Sequence, residues 1–379
     1  MPVRTRSQTS RTTTGPGMLD RLPPELLHHI LDSIDPLDRI EREDALCRCS
    51  LVSKTLCTAA RPLLWRDLAP LGPEMPLLLD GVRNNPALAS LVRRITYNDN
   101  CDPIVDVLDT FTQLEVVKLA FMRFDATVVR EAEWERLELD TLVVSGAEIT
   151  APPSSLTFSS LSTLVIDNFR ATPDTLARLL RPAVLPFVRA LSLDGSYRLN
   201  SLAFPDLPLP LLSNLEVLQV PLDYLPAVSS DIVAGPAPLL VTMGDYIEQF
   251  SDGLDELPSS TSIQHLCLTG DRVNTELHGT ALATYHMEAA CRAVSAWLSR
   301  STTPPLRSLW ISPHLDDVLG SPNASLDALL AMCKTAGTKV GWLAPYDVEV
   351  EDEPYEAILD ERVRRYFRAL KAERDSKET

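Results

Sequence analysis

The chain has 379 residues, of which 45% are hydrophobic and 23% charged, and it carries a formal net charge of −17. This composition supports a buried core organised as one large domain or two. So negative a protein repels polyanions, which disfavours nucleic acid and anionic membrane surfaces as its main partners. No run of eighteen apolar residues occurs in the sequence, so we expect no membrane-spanning segment.

Residues 1–17 form a basic tail, with three arginines among Ser, Thr, Gly and Pro and no acidic residue. They lack the apolar stretch of a secretory signal, so we predict a disordered tail, with a transit peptide or a weak nuclear signal as the alternative. Seven cysteines are scattered at irregular spacing without a CxxC pair. Reduced thiols are the simple interpretation, and they favour a location in the cytoplasm, the nucleus or both.

Residues 18–68 carry the periodicity of two or three short helices. Pro23 and Pro24 suit the first turn of a helix, where a missing N–H costs no hydrogen bond, and Glu25 favours the positive end of the helix dipole. The apolar residues that follow fall on one helix face, and we expect a second helical run to be broken at Pro62. A module this small cannot bury a full core alone, so it should pack on the rest of the chain or on a partner.

Four landmarks of this segment resemble the F-box, a helical module of cullin-based ubiquitin ligases. In chain order they are Leu22-Pro23-Pro24-Glu25-Leu26, Ile30-Leu31, Leu51-Val52-Ser53-Lys54 and Leu64-Trp65. The chain departs from the family pattern at Leu56, near a place where the family often has Trp. It also departs in the long, charged segment 35–44, although similar fungal proteins often carry such an insert.

The resemblance implies that residues 18–68 bind the adaptor subunit of an SCF-type (cullin-RING) ubiquitin ligase. It also implies a basidiomycete type of F-box protein. The residues expected at the adaptor contact, or supporting it, are Leu22, Pro23, Glu25, Leu26, Ile30, Leu31, Leu51, Val52 and Trp65. Some of these must instead form the small core of the module, and the sequence pattern leaves open which ones.

After a predicted linker, residues 69–87, an apolar-x-x-apolar-x-apolar pattern recurs through residues 88–345. Five successive intervals between copies are 22 to 27 residues long. This period resembles that of leucine-rich repeats, although most copies lack the family's Asn. The copies begin at Val92, Leu114, Leu139, Leu161, Val188, Leu215, Ile263 and Leu306, with a partial copy at Val340.

We therefore predict an α/β fold in which a helical F-box precedes an irregular leucine-rich-repeat solenoid, with parallel strands inside and helices or loops outside. A non-repeat α/β domain with similar strands is the alternative. Residues 346–379 should form an acidic segment and a C-terminal helix that caps the solenoid. Leu239-Leu240-Val241 is a candidate degenerate strand.

Alternation within each strand predicts which residues face outward on the concave side of the solenoid. Small and hydroxyl residues dominate this set, and Trp310 is the strongest hot-spot candidate because exposed Trp is enriched at binding sites. Its alternative role is contact with the C-terminal segment. The residues expected to contact a client protein are Arg94, Lys118, Asp167, Asp194, His265 and Trp310.

No phosphate-binding loop, zinc motif or nucleophile motif stands in a suitable context, so we expect no enzyme, cofactor or metal. The resemblance instead implies a substrate-recognition subunit that holds a client for ubiquitin transfer and so directs its degradation. The gain in rate would come from proximity and orientation, which need no catalytic residue here. The alternative is a non-enzymatic scaffold whose N-terminal helices only cap the solenoid.

Overall fold

The computed structural model describes 22–32, 34, 39–69, 74–98, 104–120, 123–124, 134, 137–145, 148–149, 156–167, 171–194, 214–215, 217–219, 265–268, 288, 291–292, 294–296, 298–299, 306–311 and 323–342. The chain divides into two compact units, Met1–Leu68 and Ala69–Thr379. The predicted N-terminal tail, the candidate strand 239–241 and the predicted C-terminal helix lie outside the described residues.

The described part of the first unit contains three helices and a short strand: α1 (Pro24–Asp32), α2 (Arg39–Val52), α3 (Lys54–Arg66) and β1 (Asp67–Leu68). Ser53 separates α2 from α3 in an extended conformation with φ −152°, and its Oγ accepts a hydrogen bond from the Leu56 N–H at 3.1 Å. This N-cap satisfies a backbone donor that the first turn would otherwise leave unpaired.

Helix α3 continues through Pro62, so the break expected there is wrong. Proline removes one backbone donor from a helix interior, but packing on the core offsets this loss. That core is formed by Leu31, Leu46 and Ala60, with Ile34, Cys49, Ala59, Leu63 and Leu64 packed against it. Two of the packed residues, Leu63 and Leu64, follow the proline directly and stabilise the last turn of α3.

The predicted linker 69–87 is also corrected, because it contains a ten-residue helix, α4 (Glu74–Arg83), and the start of α5 (Pro86–Ala89). Three residues of α4 are buried: Met75, Leu79 and Val82. Their spacing of four and three residues places them on one helix face. The segment therefore contributes to the core of the second unit.

The second unit contains a sheet of six parallel strands whose spatial order follows the chain. The strands are β2 (Arg94–Asn98), β3 (Val116–Ala120), β5 (Thr141–Ser145), β7 (Thr163–Asp167), β8 (Ala190–Asp194) and β9 (Val217–Gln219). Each lies where the apolar pattern predicts it. The middle apolar residue of each copy aligns in register across the sheet and is at most 2% exposed: Ile95, Val117, Leu142, Leu164, Leu191 and Leu218.

The same pair of hydrogen bonds fixes the start of successive strands. The carbonyl oxygen of Arg93 accepts from the Glu115 N–H at 2.8 Å and from the Val116 N–H at 3.0 Å. The carbonyl oxygens of Glu115, Asp140 and Ser162 accept in the same way from the residues that begin the next strand. Four strand starts are thus held in one register, which places equivalent side chains of the pattern side by side.

Shorter elements complete the described part of the second unit: α6 (Ile104–Thr110), β4 (Arg123–Phe124), β6 (Glu148–Ile149), α7 (Pro173–Leu179), β10 (His265–Leu268), β11 (Ser308–Ile311), α8 (Ala324–Ala336) and β12 (Lys339–Trp342). β4 pairs with β6, and β10, β11 and β12 form a second parallel sheet, again in chain order. The partial copy at Val340 is a strand, and α7 and α8 are helices that lie between strands in the chain.

Asn323 anchors α8. Its Oδ1 accepts from the N–H groups of Ser325 and Leu326 at 3.0 and 3.1 Å, and its Nδ2 donates to Glu288 Oε1 at 3.0 Å. Gly337 ends the helix in the left-handed conformation at φ 74°, which glycine adopts without a Cβ penalty. These two caps fix where α8 begins and ends beside β11 and β12.

Candidate binding surfaces

Helix α1 of the first unit presents apolar side chains to solvent. Leu26 is 50% exposed and Ile30 is 44% exposed, and they lie one helical turn apart on the same face. The end of α2 presents two more, Leu51 at 87% and Val52 at 61%. Together these four residues form what we call the exposed apolar set of the first unit. Exposed apolar surface of this kind is typical of a site that binds another protein.

The structure sorts the residues that the sequence expects at the adaptor contact. Leu31 is fully buried, so it is one of the residues that form the core of the first unit. Pro23 and Glu25 are exposed and lie close to Leu26 in the sequence. Leu22 and Trp65 are half-buried. The core role of Leu31 follows from α3, whose Ala60 it contacts; the α1 pattern alone cannot distinguish it from Ile30.

One ion pair within this unit was not predicted from the sequence. Arg42 Nη2 lies 3.3 Å from Asp67 Oδ2, and both side chains are mostly buried. The pair joins α2 to the strand that follows α3. Partial burial screens it less than a surface pair, and the signal was weak because its members stand 25 residues apart.

The outward face of the large sheet is not uniformly open, which corrects the expected concave surface. Arg94 is exposed and Lys118 is half-buried on β2 and β3. Five outward residues of the next strands are buried, whereas Thr163 and Ala190 are half-buried. The five are Thr141, Val143, Ser145, Val165 and Ser192. β5 is therefore buried on both faces, and alternation within a strand could not reveal this because covering by another layer leaves no local signal.

The remaining client candidates are Asp167, Asp194, His265 and Trp310. The strand backbones place Asp167 and Asp194 in register on β7 and β8, and His265 in register with Ser308. The side chains of these three candidates lie outside the described part of the structure. The Trp310 side chain is half-buried on β11.

The Trp310 ring packs against the neighbouring strand. Gly341 is its register partner on β12, and a Cβ built on Gly341 would lie 2.8 Å from Trp310 Cε3. Trp342, 44% exposed, is in register with the buried Ile311, and therefore belongs to the opposite face of this sheet. The two tryptophans consequently cannot act as one platform.

Reactive chemistry is sparse among the residues that the structure describes. They contain no group of three or more His, Cys, Asp and Glu side chains able to hold a metal ion. Burial raises the pKa of Cys291 to about 12, an effect that Arg292 partly offsets, and burial raises the pKa of Cys333 to about 11. Such thiols stay protonated and make poor nucleophiles. No described helix is both long enough and apolar enough to cross a bilayer.

The F-box-like family matches the chain over residues 19–70, so an F-box-like domain is present there. No curated protein matches the chain. F-box domains bind the adaptor subunit of SCF complexes, and F-box proteins are in general non-enzymatic adaptors that recognise substrates. The match includes all of the exposed apolar set and ends before α4 and β2.

Proposed function

We propose that this protein is a substrate-recognition subunit of an SCF-type ubiquitin ligase. Its F-box-like domain binds the adaptor through the exposed apolar set, and its parallel-strand unit binds a protein client. The protein itself makes no bond and acts by bringing a client lysine near the ubiquitin carrier. The observation that carries this proposal is the exposure of Leu26, Ile30, Leu51 and Val52 within the matched segment.

The exposed apolar set is suited to a binding role. Its four side chains are 44% to 87% exposed, so a partner can bury them. Their burial by a partner removes apolar surface from water, at about 25 cal/mol per Å² before the costs of association. The scaffold interpretation remains the alternative that the experiment below must exclude.

The sequential parallel strands support a leucine-rich-repeat type of client-binding unit. Six strands follow one another without the reversal of order that marks doubly wound sheets. The repeated carbonyl pairing at four strand starts gives equivalent residues equivalent positions. In such a unit the client contacts would be outward side chains that stay accessible, which favours Arg94, Lys118 and Trp310 among the described candidates.

The test is capture of a recombinant adaptor–cullin N-terminal complex by the full chain. A Leu51→Ser/Val52→Ser double variant should lose at least tenfold in capture, because two exposed apolar contacts become polar. A Leu77→Ser variant is the matched control: Leu77 is 74% exposed but lies on α4, outside the matched segment. Equal capture by all three proteins, or none by folded wild type, would reject the ligase-subunit proposal.

A further inference from the structure

Two cationic side chains share the open part of the large sheet. Arg94 on β2 is exposed, and Lys118 on β3 is half-buried. Arg94 is in register with Val116, and Thr96 is in register with Lys118. The alternate residues of both strands are buried on the other face, so these four residues lie together on the outward face. We call them the β2–β3 face.

The two cations are diagonal neighbours across the strand pair. Strands about 4.8 Å apart that rise about 3.3 Å per residue place diagonal neighbours about 8 Å apart, within reach of long side chains. The described residues offer neither Arg94 nor Lys118 an acidic partner. Like charges at this spacing repel each other, and an anion held between them would relieve the repulsion.

Arg93, the residue before Arg94, has a structural role. Arg93 Nε lies 3.5 Å from Glu115 Oε1, and its Nη1 donates to the Gln113 carbonyl at 3.1 Å and to Gln113 Oε1 at 3.2 Å. Its side chain is thus fully used in joining two strand starts. Arg94, the next residue, points to the opposite side of the strand and has no such use.

The acidic composition of the chain bears on how these two cations are interpreted. The chain holds 52 acidic and 35 basic residues, so most cations have acids available to them. The neighbouring part of the same face is closed, since Thr141 and Val143 are buried where β5 continues the sheet. A ligand on this face is therefore confined to the open strands that carry the two cations.

We propose that the β2–β3 face binds an acidic segment of the client, a stretch of peptide whose Asp or Glu carboxylates lie between Arg94 and Lys118. The guanidinium supplies a forked pair of donors that fits a carboxylate, and Thr96, the register partner of Lys118, adds a hydroxyl to the same face. Val116 supplies apolar contact for an aliphatic stem. This inference rests on the proposed client-binding function and specifies the chemistry of the client.

The test uses an array of randomised peptides, half of them carrying phosphoserine, probed with the full-length chain, and adaptor capture is measured separately. Wild type should select Asp and Glu in the unphosphorylated half, with selection falling as salt rises. An Arg94→Glu/Lys118→Glu variant should lose this selection at least tenfold. An Arg178→Glu/Arg181→Glu variant makes the same change in net charge at two exposed positions and should retain it.

Selection of basic or neutral peptides, selection of phosphoserine alone, or equal selection by both double variants would overturn the inference. A Lys118→Glu single variant separates binding from folding, because it replaces a repulsion with an attraction to Arg94. It should melt no lower than wild type and still lose acidic selection. If wild type captures the adaptor but does not select acidic peptides, this inference is rejected and the ligase proposal stands. If wild type selects acidic peptides but does not capture the adaptor, the ligase proposal alone is rejected.

Discussion

The indole ring of Trp310 occupies the space that a side chain on Gly341 would need. The two residues are register partners on β11 and β12, and a Cβ on Gly341 would approach ring atoms of Trp310 to 2.8 Å. The contact involves the rigid body of the indole, so the ring must move as a whole to admit a methyl group. Trp310 can hold its position only while residue 341 is glycine.

A Gly341→Ala substitution should therefore destabilise the second unit by about 1–3 kcal/mol, the usual cost of overpacking. Urea unfolding followed by Trp fluorescence measures this. In a Trp310→Ala background the same substitution should cost much less, because the clash is removed. Gly81→Ala is the matched control: it lies in α4 with nothing within 4 Å of the added Cβ, and should stabilise by about 0.5–1 kcal/mol. Equal costs in both backgrounds would contradict the contact.

Leu31 and Leu51 should respond oppositely to truncation. Leu31 is fully buried, so Leu31→Ala should cost about 2–5 kcal/mol and increase hydrogen exchange of peptides from α3. Leu51 is 87% exposed, so a Leu51→Ala substitution should leave hydrogen exchange unchanged. Mass spectrometry of deuterium uptake across residues 22–68 measures both. Unchanged α3 protection in the Leu31 variant would contradict the assigned core.

Ser192 is predicted to be dispensable for stability. Its side chain is fully buried, and its Oγ has no hydrogen-bond partner among the described residues. A buried hydroxyl without a partner carries a desolvation cost of about 1–3 kcal/mol, so Ser192→Ala should be neutral or stabilising in thermal melts. Ser308→Ala offers a comparison, since Ser308 is also buried on an outward strand position but has an interaction partner. A loss of stability above about 1 kcal/mol for Ser192→Ala would contradict the assignment.

Burial of two thiols predicts a decline of stability in alkali. The folded pKa of Cys291 is about 12 and that of Cys333 about 11, against 9.0 for an ordinary thiol. A raised folded pKa means that the unfolded chain loses its proton first, so the stabilising contribution is complete below pH 9.0 and is lost as pH rises through these folded values. The urea midpoint of wild type should fall more steeply above pH 9.0 than that of Cys291→Ala. Parallel pH profiles would contradict it.

Thiol labelling at pH 8 provides an independent check of the same burial. Iodoacetamide should label Cys47, which is exposed, in the folded protein. Cys291 and Cys333 should react only in urea. Labelling of Cys291 in the native protein would contradict its protonated, buried state.

The strands of the large sheet were predictable because each buries a short apolar pattern on one face, as Ile95 and Val117 illustrate. The burial of the outward residues was not predictable. Val143 and Val165 are buried, and the alternation within a strand does not indicate that burial. Helix α4 was concealed by Pro76 within it, although Met75, Leu79 and Val82 carry helical spacing. Local pattern therefore locates elements, whereas the layers that cover them depend on the whole chain.

The exposure of the individual adaptor-contact candidates could not be predicted from the sequence. Ile30 and Leu31 are adjacent apolar residues on α1, yet one is 44% exposed and the other is fully buried. The difference depends on where α3 lies, because Ala60 and its neighbours complete the core around Leu31. Sequence periodicity specifies a stripe about a third of the helix wide, and only the packing partner decides which part of the stripe is covered.

The most direct measurement is a calorimetric titration of the purified adaptor complex into the full chain and into a Leu26→Ser/Ile30→Ser variant. We expect one-to-one binding with a negative heat-capacity change, the mark of apolar burial. The variant should bind at least tenfold more weakly and have an unchanged circular dichroism spectrum. No heat of binding for folded wild type, or equal affinity for both proteins, would contradict the claim that this exposed helix face binds the ligase adaptor.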